Sequence, residues 1–162
     1  QKAFEGEAKA HLKYQFYKSK IANTSKKLES LLDEIIHNEK EHGKIWFKLL
    51  HNGEIPTDEE NLQDAIAGEL MECKEMYPNF AKIAYEEGFN EIGDLFTAIS
   101  KIEGQHAHEF SIMLENIEKG YLFSDEEEVS WICLNCGHIY YGKHAPDECP
   151  VCNHPRKYFV RL

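Results

Sequence analysis

The sequence predicts a mainly α protein: a four-helix bundle followed by a small four-cysteine metal domain. Three observations lead there. Up to Gly120, apolar residues recur at four-three spacing, the pattern of amphipathic helices. That rhythm is interrupted at matching places by "EKEH" at 39–42 and "EGQH" at 103–106. From Trp131 the chain becomes dense in Cys, Pro, Gly and aromatic residues, with Cys133, Cys136, Cys149 and Cys152 set as two Cys-x-x-Cys pairs.

A chain of 162 residues suffices for one sizeable domain and a small second one. Hydrophobic residues make up 42%, enough to pack a core. The balance of 18 Lys+Arg against 29 Asp+Glu argues against nucleic acid and against an anionic membrane surface as partners. No apolar run is long enough to span a bilayer. The chain opens on Gln1 rather than Met, so a few residues are expected ahead of it, and no signal peptide is visible. A cytoplasmic location is expected, and there Cys-x-x-Cys pairs favour metal over disulfide.

The first helix runs to about Ala22 and stops at "NTS", where Ser25 can cap the second. The second runs to about His51, and "NG" ends it. The loop "GEIPTDEEN" crosses to a third helix, about Leu62 to Glu87, which Pro78 should kink or break locally. Gly88 ends it. The fourth runs from about Asn90 to Lys119, with Gly120 as its terminal glycine. Short first and last turns make each helix pair an antiparallel hairpin, and the longer middle connection suits a bundle crossover. The expected division is a bundle at 1–120, an acidic linker at 121–130 with a solvated "DEEE", and a metal domain at 131–162. That last segment is too short to fold on a hydrophobic core without a staple.

The interruptions carry the chemistry. In the second helix the stripe Leu28, Leu32, Ile35 resumes at Trp46 and Leu49, and the positions between are Glu39 and His42. In the fourth, Ile92, Phe96 and Ile99 resume at Phe110, Met113 and Ile117, with Glu103 and His106 between. In the third, Leu62 and Ala65 lead to Glu69 and Glu72, then Met76. Glu7 shares a face with Ala10, Tyr14, Tyr17 and Ile21. Glu7 lies 17 residues before Thr24, and Glu39 and His42 lie 15 and 18 after it. The other hairpin counts alike from Phe89, so at about 1.5 Å rise per residue all seven groups fall within roughly 10 Å along the axis. Burying several carboxylates together costs several kcal/mol per ion, comparable with the stability of a whole domain. Divalent cations remove that cost. Five carboxylates and two imidazoles suit iron or manganese better than zinc, and two ions fit the count.

In the tail, each Cys-x-x-Cys pair makes a tight turn that brings two thiolates to one ion. Spacing alone leaves zinc and iron open. Gly137 frees the backbone to aim N–H groups at sulfur, which favours iron slightly. Trp131, Tyr140, Tyr141 and Phe159 are the expected apolar shell.

Taken in order, "FEGE" at Phe4 to Glu7, "EKEH", "ELMECKEMYP", "EGQH" and the terminal "CGHIYYG…CPVCNHP" resemble the rubrerythrin family almost end to end. The resemblance implies a ferritin-like di-iron bundle joined to a rubredoxin-like domain, with two Fe in the bundle and one Fe on four cysteines. It implies reduction of hydrogen peroxide to water and protection against oxidative stress. Carried over by position, Glu39 and Glu103 bridge the irons. Glu7 binds the first, with His42 and Glu72 as alternatives that exchange with redox state, and Glu69 and His106 hold the second. Tyr14 and Tyr77 match tyrosines that hydrogen-bond the ligands. The four-cysteine iron relays electrons from a donor such as a rubredoxin or an NAD(P)H-dependent reductase. A homodimer is implied, in which one chain's knuckle serves the other's bundle, with exchange of helices left open. Two departures are Asn153, where free-standing rubredoxins often carry Gly, and a late start of the first helix; Asn tolerates the left-handed conformation.

Two other readings remain open on the sequence: a ferroxidase using the same bundle with oxygen, and a non-enzymatic module with zinc in the knuckle. Cys73 is expected as a buried thiol. His11, His37, His51, His108, His138, His144 and His154 are expected at the surface or in local hydrogen bonds.

Overall fold

The structure is a computed structural model that describes residues 1–21 and 25–162. They divide into two compact units, Gln1–Thr57 and Asp58–Leu162.

The first unit is a helical hairpin of α1 (Lys2–Ile21) and α2 (Lys26–Leu50). The helices run antiparallel. Phe4 meets Phe47 at 5.6 Å between rings, the His11 ring donates to the Ile36 carbonyl at 2.9 Å, and Lys18 pairs with Asp33. Gly43 is buried where the helices approach, and a Cβ there would meet Glu7 Cβ at 3.7 Å. The turn expected at Asn23–Thr24 lies outside the described residues. Ser25 takes the extended N-cap conformation, but its side chain makes no capping bond; its carbonyl accepts the Glu29 N–H at 3.0 Å instead. The expected "NG" stop is present: Asn52 (φ 58) and Gly53 (φ 94) are left-handed, and the Gly53 N–H reaches the Lys48 carbonyl at 2.7 Å.

The second unit opens with α3 (Asp58–Met71), a π turn at Glu72–Met76, α4 (Tyr77–Glu86) and α5 (Asn90–Glu118). The helix starts earlier than Leu62 because Asp58, Glu59 and Glu60 form an acidic first turn, which the helix dipole favours. The break expected at Pro78 takes a specific form. Proline cannot donate, so the chain widens one turn ahead of it: the Tyr77 N–H goes to the carbonyl of Glu72, five residues back, and Pro78 falls in the first turn of α4. Further on, Tyr85 lies flat on Gly93, where any Cβ would stand 2.5 Å from the ring. The end of α5 is a Schellman turn: Gly120 is left-handed, its N–H bonds Ile117, and the Tyr121 N–H bonds Asn116.

Within each hairpin a helix covers only the side of its mate that it touches. Leu31, Ile45 and Leu49 in the first, and Phe80, Ile83, Ile92, Leu95 and Ile102 in the second, remain exposed.

The chain finishes in an antiparallel sheet of order β2-β1-β3, from β1 (Ser124–Cys133), β2 (Ile139–His144) and β3 (Phe159–Arg161), with a 3-10 turn at Arg156–Tyr158. In register, Trp131 faces Tyr140 on one side and Arg161 on the other. Most of the segment expected as a linker is therefore β1. Asp125, read as part of a solvated run, pairs with Arg161. The core is Trp131, Cys133, Ala145, Cys149 and Phe159, with Phe123, Val129 and Tyr158 against it. Trp131 and Phe159 fill the roles expected of them. Tyr140 and Tyr141, on β2, do not: both are exposed.

Candidate metal centres

Helical spacing places a glutamate and a histidine three residues apart on one face. On α2 this brings Glu39 and His42 together at 3.4 Å, and α1 adds Glu7, 4.0 Å from the His42 ring nitrogen. On α5 it brings Glu103 and His106 to 2.7 Å, and α3 adds Glu69 at 3.7 Å from the ring. The two clusters have the same composition, two carboxylates and one imidazole. In each, the ligand atoms lie within 4.8 Å of one another. An ion with bonds of about 2.1 Å holds its ligands at separations up to roughly 4.2 Å, so small side-chain adjustments close either cluster on a metal. Hard oxygen and imidazole donors suit iron. The donor sets fit.

The electrostatics agree. The Glu69 carboxyl is held above its ordinary range by burial first and by the charge of Glu103 second, with His106 opposing. Carboxylates crowded against one another are short of positive charge, which a cation supplies.

Glu72, the first residue of the π turn, stands outside the three-residue cluster but is close enough to raise Glu69 further. Tyr77 belongs to the same neighbourhood: burial, then the charges of Glu72, Glu103 and Glu69, push its phenol up. In a continuous α-helix, residues 72 and 77 would point roughly 140° apart. The π turn returns Tyr77 nearly to the face of Glu72. Tyr14, half-buried on α1, meets the Tyr17 ring at a tilt, with centroids 5.9 Å apart.

The four cysteines converge from two knuckles of one design. In each, the first cysteine accepts a bond from the residue four on: Gly137 N–H to Cys133 at 2.8 Å, Asn153 N–H to Cys149 at 2.9 Å. Each first cysteine donates its own N–H to the residue five on, Cys133 to His138 and Cys149 to His154. Both hinge residues are left-handed, Gly137 at φ 76 and Asn153 at φ 56, as expected of an Asn in that place. Sulfur–sulfur distances are 3.7 Å for Cys133–Cys152 and for Cys136–Cys149. A tetrahedral ion with bonds of about 2.3 Å requires edges of roughly 3.8 Å. The thiols stand at the spacing such an ion requires.

Backbone N–H groups of His138 and His154 point at Cys136 and Cys152. The His154 bond is the chief reason Cys152 falls to about 6. At Cys136 the His138 bond also favours thiolate, but burial and the neighbouring thiols outweigh it and carry the group to about 12. A metal resolves this by deprotonating all four. The N–H groups expected to be aimed at sulfur past Gly137 are thus those of His138 and, in the second knuckle, His154, which the parallel "CGH" and "CNH" mark in the sequence. Of the other histidines, His37, His108 and His144 are exposed, while His51 and His154 bond local carbonyls at 2.9 and 3.1 Å. Cys73 is half-buried rather than buried.

The sequence profile described as "Rubrerythrin" matches residues 1–114, and that described as "Rubrerythrin, rubredoxin-like domain" matches residues 131–160. The chain is 37% identical to the rubrerythrin of Porphyromonas gingivalis, over 97% of its own length and 84% of the relative's. It is 37% identical to the rubrerythrin of Clostridium perfringens, over 98% and 89%. A solved structure of nigerythrin in a partially reduced state aligns over 99% of this chain and 82% of its own, at 24% identity and a TM-score of 0.39, a likeness too loose to place side chains. Both donor sets of a rubrerythrin are here, carboxylates with imidazoles for a di-iron site and four thiols for a rubredoxin-like iron. With both profiles matched in order and relatives of this identity along nearly the whole chain, the protein belongs to the rubrerythrin family.

Proposed function

We propose that the chain is a non-haem di-iron peroxidase that reduces hydrogen peroxide to water and protects the cell from oxidative stress. One observation carries the reading: two Glu/Glu/His clusters of the same composition, one per hairpin, accompany a four-thiol site in the same chain. A pair of carboxylate-held ions suits a two-electron reduction, and a separate thiolate-held ion suits supply of electrons one at a time. When bound, the iron pair furnishes two electrons that, with two protons, convert one peroxide to two waters, while the four-cysteine iron passes electrons inward from an external donor.

The residues have distinct tasks in this proposal. Glu39 and Glu103 would be shared between two ions, Glu7 would hold the first, and Glu69 and His106 would hold the second. His42 and Glu72 are alternative ligands of the first ion; a carboxylate suits the more positive oxidation state, an imidazole the less positive. Tyr77 keeps its phenolic proton, because burial and the charges of Glu72, Glu103 and Glu69 hold its pKa up. It is a hydrogen-bond donor to those carboxylates, and Tyr14 is assigned the same task on α1. The chain is proposed to act as a homodimer, with exchange of helices between its chains left open. The donor is a rubredoxin or an NAD(P)H-dependent reductase, and the location is the cytoplasm. Among the described residues no helix is long and apolar enough to cross a membrane.

The test is a titration of iron-loaded, anaerobically reduced protein with hydrogen peroxide, beside an oxygen-treated sample. Rapid return of the red ferric-thiolate band at near-stoichiometric peroxide, and slower return with oxygen, is the expected result. Faster return with oxygen would favour a ferroxidase. A colourless four-cysteine site that holds zinc would remove the relay.

A further inference from the structure

The π turn at Glu72–Met76 leaves a backbone group that its own helix does not satisfy. In an α-helix the Cys73 carbonyl would receive the N–H of Tyr77, four residues on. Here that N–H goes to Glu72. In the wider π register the donor for Cys73 would be residue 78, which is proline and has no N–H. Neither register serves the Cys73 carbonyl, and an unmade hydrogen bond in a half-buried position is costly.

The missing donor comes from α5. Ser100 Oγ donates to the Cys73 carbonyl at 2.7 Å. This is not the habit of helical hydroxyls in this chain: Thr97 and Ser111, on the same helix, bond back to the carbonyls of Gly93 and Ala107, four residues earlier. Ser100 reaches across instead. It lies one turn before Glu103, and Cys73 follows Glu72 directly, so the bond ties the backbone beside Glu72 to the helix that carries Glu103 and His106. Gly104 makes the approach possible, since a Cβ there would stand 3.0 Å from Cys73 Sγ.

We propose that Ser100 is a positioning residue: by satisfying the carbonyl orphaned by the π turn and Pro78, its hydroxyl holds Glu72 in register with Glu69, Glu103 and His106 and so sets the affinity of the helical cluster for its metal. The inference rests on the proposed di-metal reading, and on the Glu72 carboxylate adding its charge to any cation, divalent ones included, held by Glu69, Glu103 and His106, whichever ion it ligates; it stands near enough to act on Glu69. Ser100 acts through Glu72 and does not itself touch the ion.

The experiment is an anaerobic cobalt(II) titration of the metal-free full chain, with no peroxide present. Thiolate charge-transfer bands report the four-cysteine site and serve as the internal control; weaker visible bands report the carboxylate–histidine cluster. Ser100→Ala should weaken cobalt binding at the helical cluster about tenfold, the usual scale for losing an outer hydrogen-bond partner, and leave the thiolate bands unchanged. Ser100→Thr should restore wild-type affinity, whereas Ser100→Val, of the same shape without the hydroxyl, should not. Combining Ser100→Ala with Glu72→Gln should weaken binding no further than Glu72→Gln alone. Wild-type affinity in both Ser100→Ala and Ser100→Val, or an undiminished Ser100→Ala effect on top of Glu72→Gln, would overturn the proposal. Failure of the parent reading looks different: wild-type protein would then take up cobalt at the cysteines alone.

Discussion

His106 Nδ1 lies 2.7 Å from the carboxylate of Glu103, one helical turn behind it, while the corresponding pair on the other hairpin, His42 and Glu39, stands 3.4 Å apart. The ring nitrogen that would face a metal is thus engaged by a carboxylate proposed to share that metal. An ion entering the cluster replaces one hydrogen bond with bonds to both partners and displaces any proton between them.

Loss of a donor from this pair should be selective. Glu103→Gln keeps the size of the side chain and removes its charge. It should lower metal affinity of the helical cluster by at least about tenfold, since outer partners alone are worth about 10–100-fold. The red band of the four-cysteine site should stay. Iron analysis beside the visible spectrum checks this, and an equal loss at both sites would contradict it.

The contribution of Glu69 to the stability of the metal-free protein should fall as pH rises. Glu69 has a folded pKa above its ordinary value near 4.5, so the folded state binds more protons than the unfolded state in that window. Its contribution is fully present below the ordinary value and is lost as pH rises through the raised one. Thermal melts of metal-free wild type against Glu69→Gln should show the gap in Tm move in favour of the variant as pH is raised from 4 toward neutrality. Added iron should reverse the slope, because protons compete with the metal for the same oxygens.

Metal removal should unfold the small sheet while sparing the helices. Its core rests on Trp131, Phe159, Ala145 and two of the cysteines themselves, too little apolar area to hold a domain of this size without the ion. Trp131 is fully buried and donates its indole N–H to the Gly142 carbonyl at 2.9 Å. In a Trp46→Phe background, chelation should shift the remaining tryptophan emission to longer wavelength with far-UV helical ellipticity retained. A simultaneous loss of helix would count against independent folding of the tail.

The second knuckle can be probed at Asn153, whose φ of 56° lies in the left-handed region. Asn153→Gly should leave metal retention equal or better. Asn153→Val should destabilise the knuckle by about 1–2 kcal/mol, because a β-branched side chain lacks the short polar group through which Asn tolerates left-handed backbone. Rates of metal transfer to a chelator would rank the three proteins, and a Val variant as slow as wild type would remove the argument.

The parts of this protein legible in its sequence are those set by local geometry. Glu39 with His42, and Glu103 with His106, stand together because three residues of helix bring them to one side, wherever the helix lies. The two Cys-x-x-Cys turns, the left-handed hinges at Gly137 and Asn153, and the stops at Gly53, Gly88 and Gly120 follow from spacing and from which residues tolerate positive φ.

What only the tertiary structure decided is where separate segments complete one another. Pro78 announced a break, but its resolution is a π turn that swings Tyr77 toward Glu72 and leaves the Cys73 carbonyl to a hydroxyl from another helix, Ser100. The aromatic shell of the knuckle went to Phe123 and Tyr158 rather than Tyr140 and Tyr141, which stay exposed on β2. Asp125 left the solvated run to pair with Arg161 once β3 came alongside β1. In each case the deciding partner is distant in the chain, and no local periodicity encodes a partner that folding alone brings near.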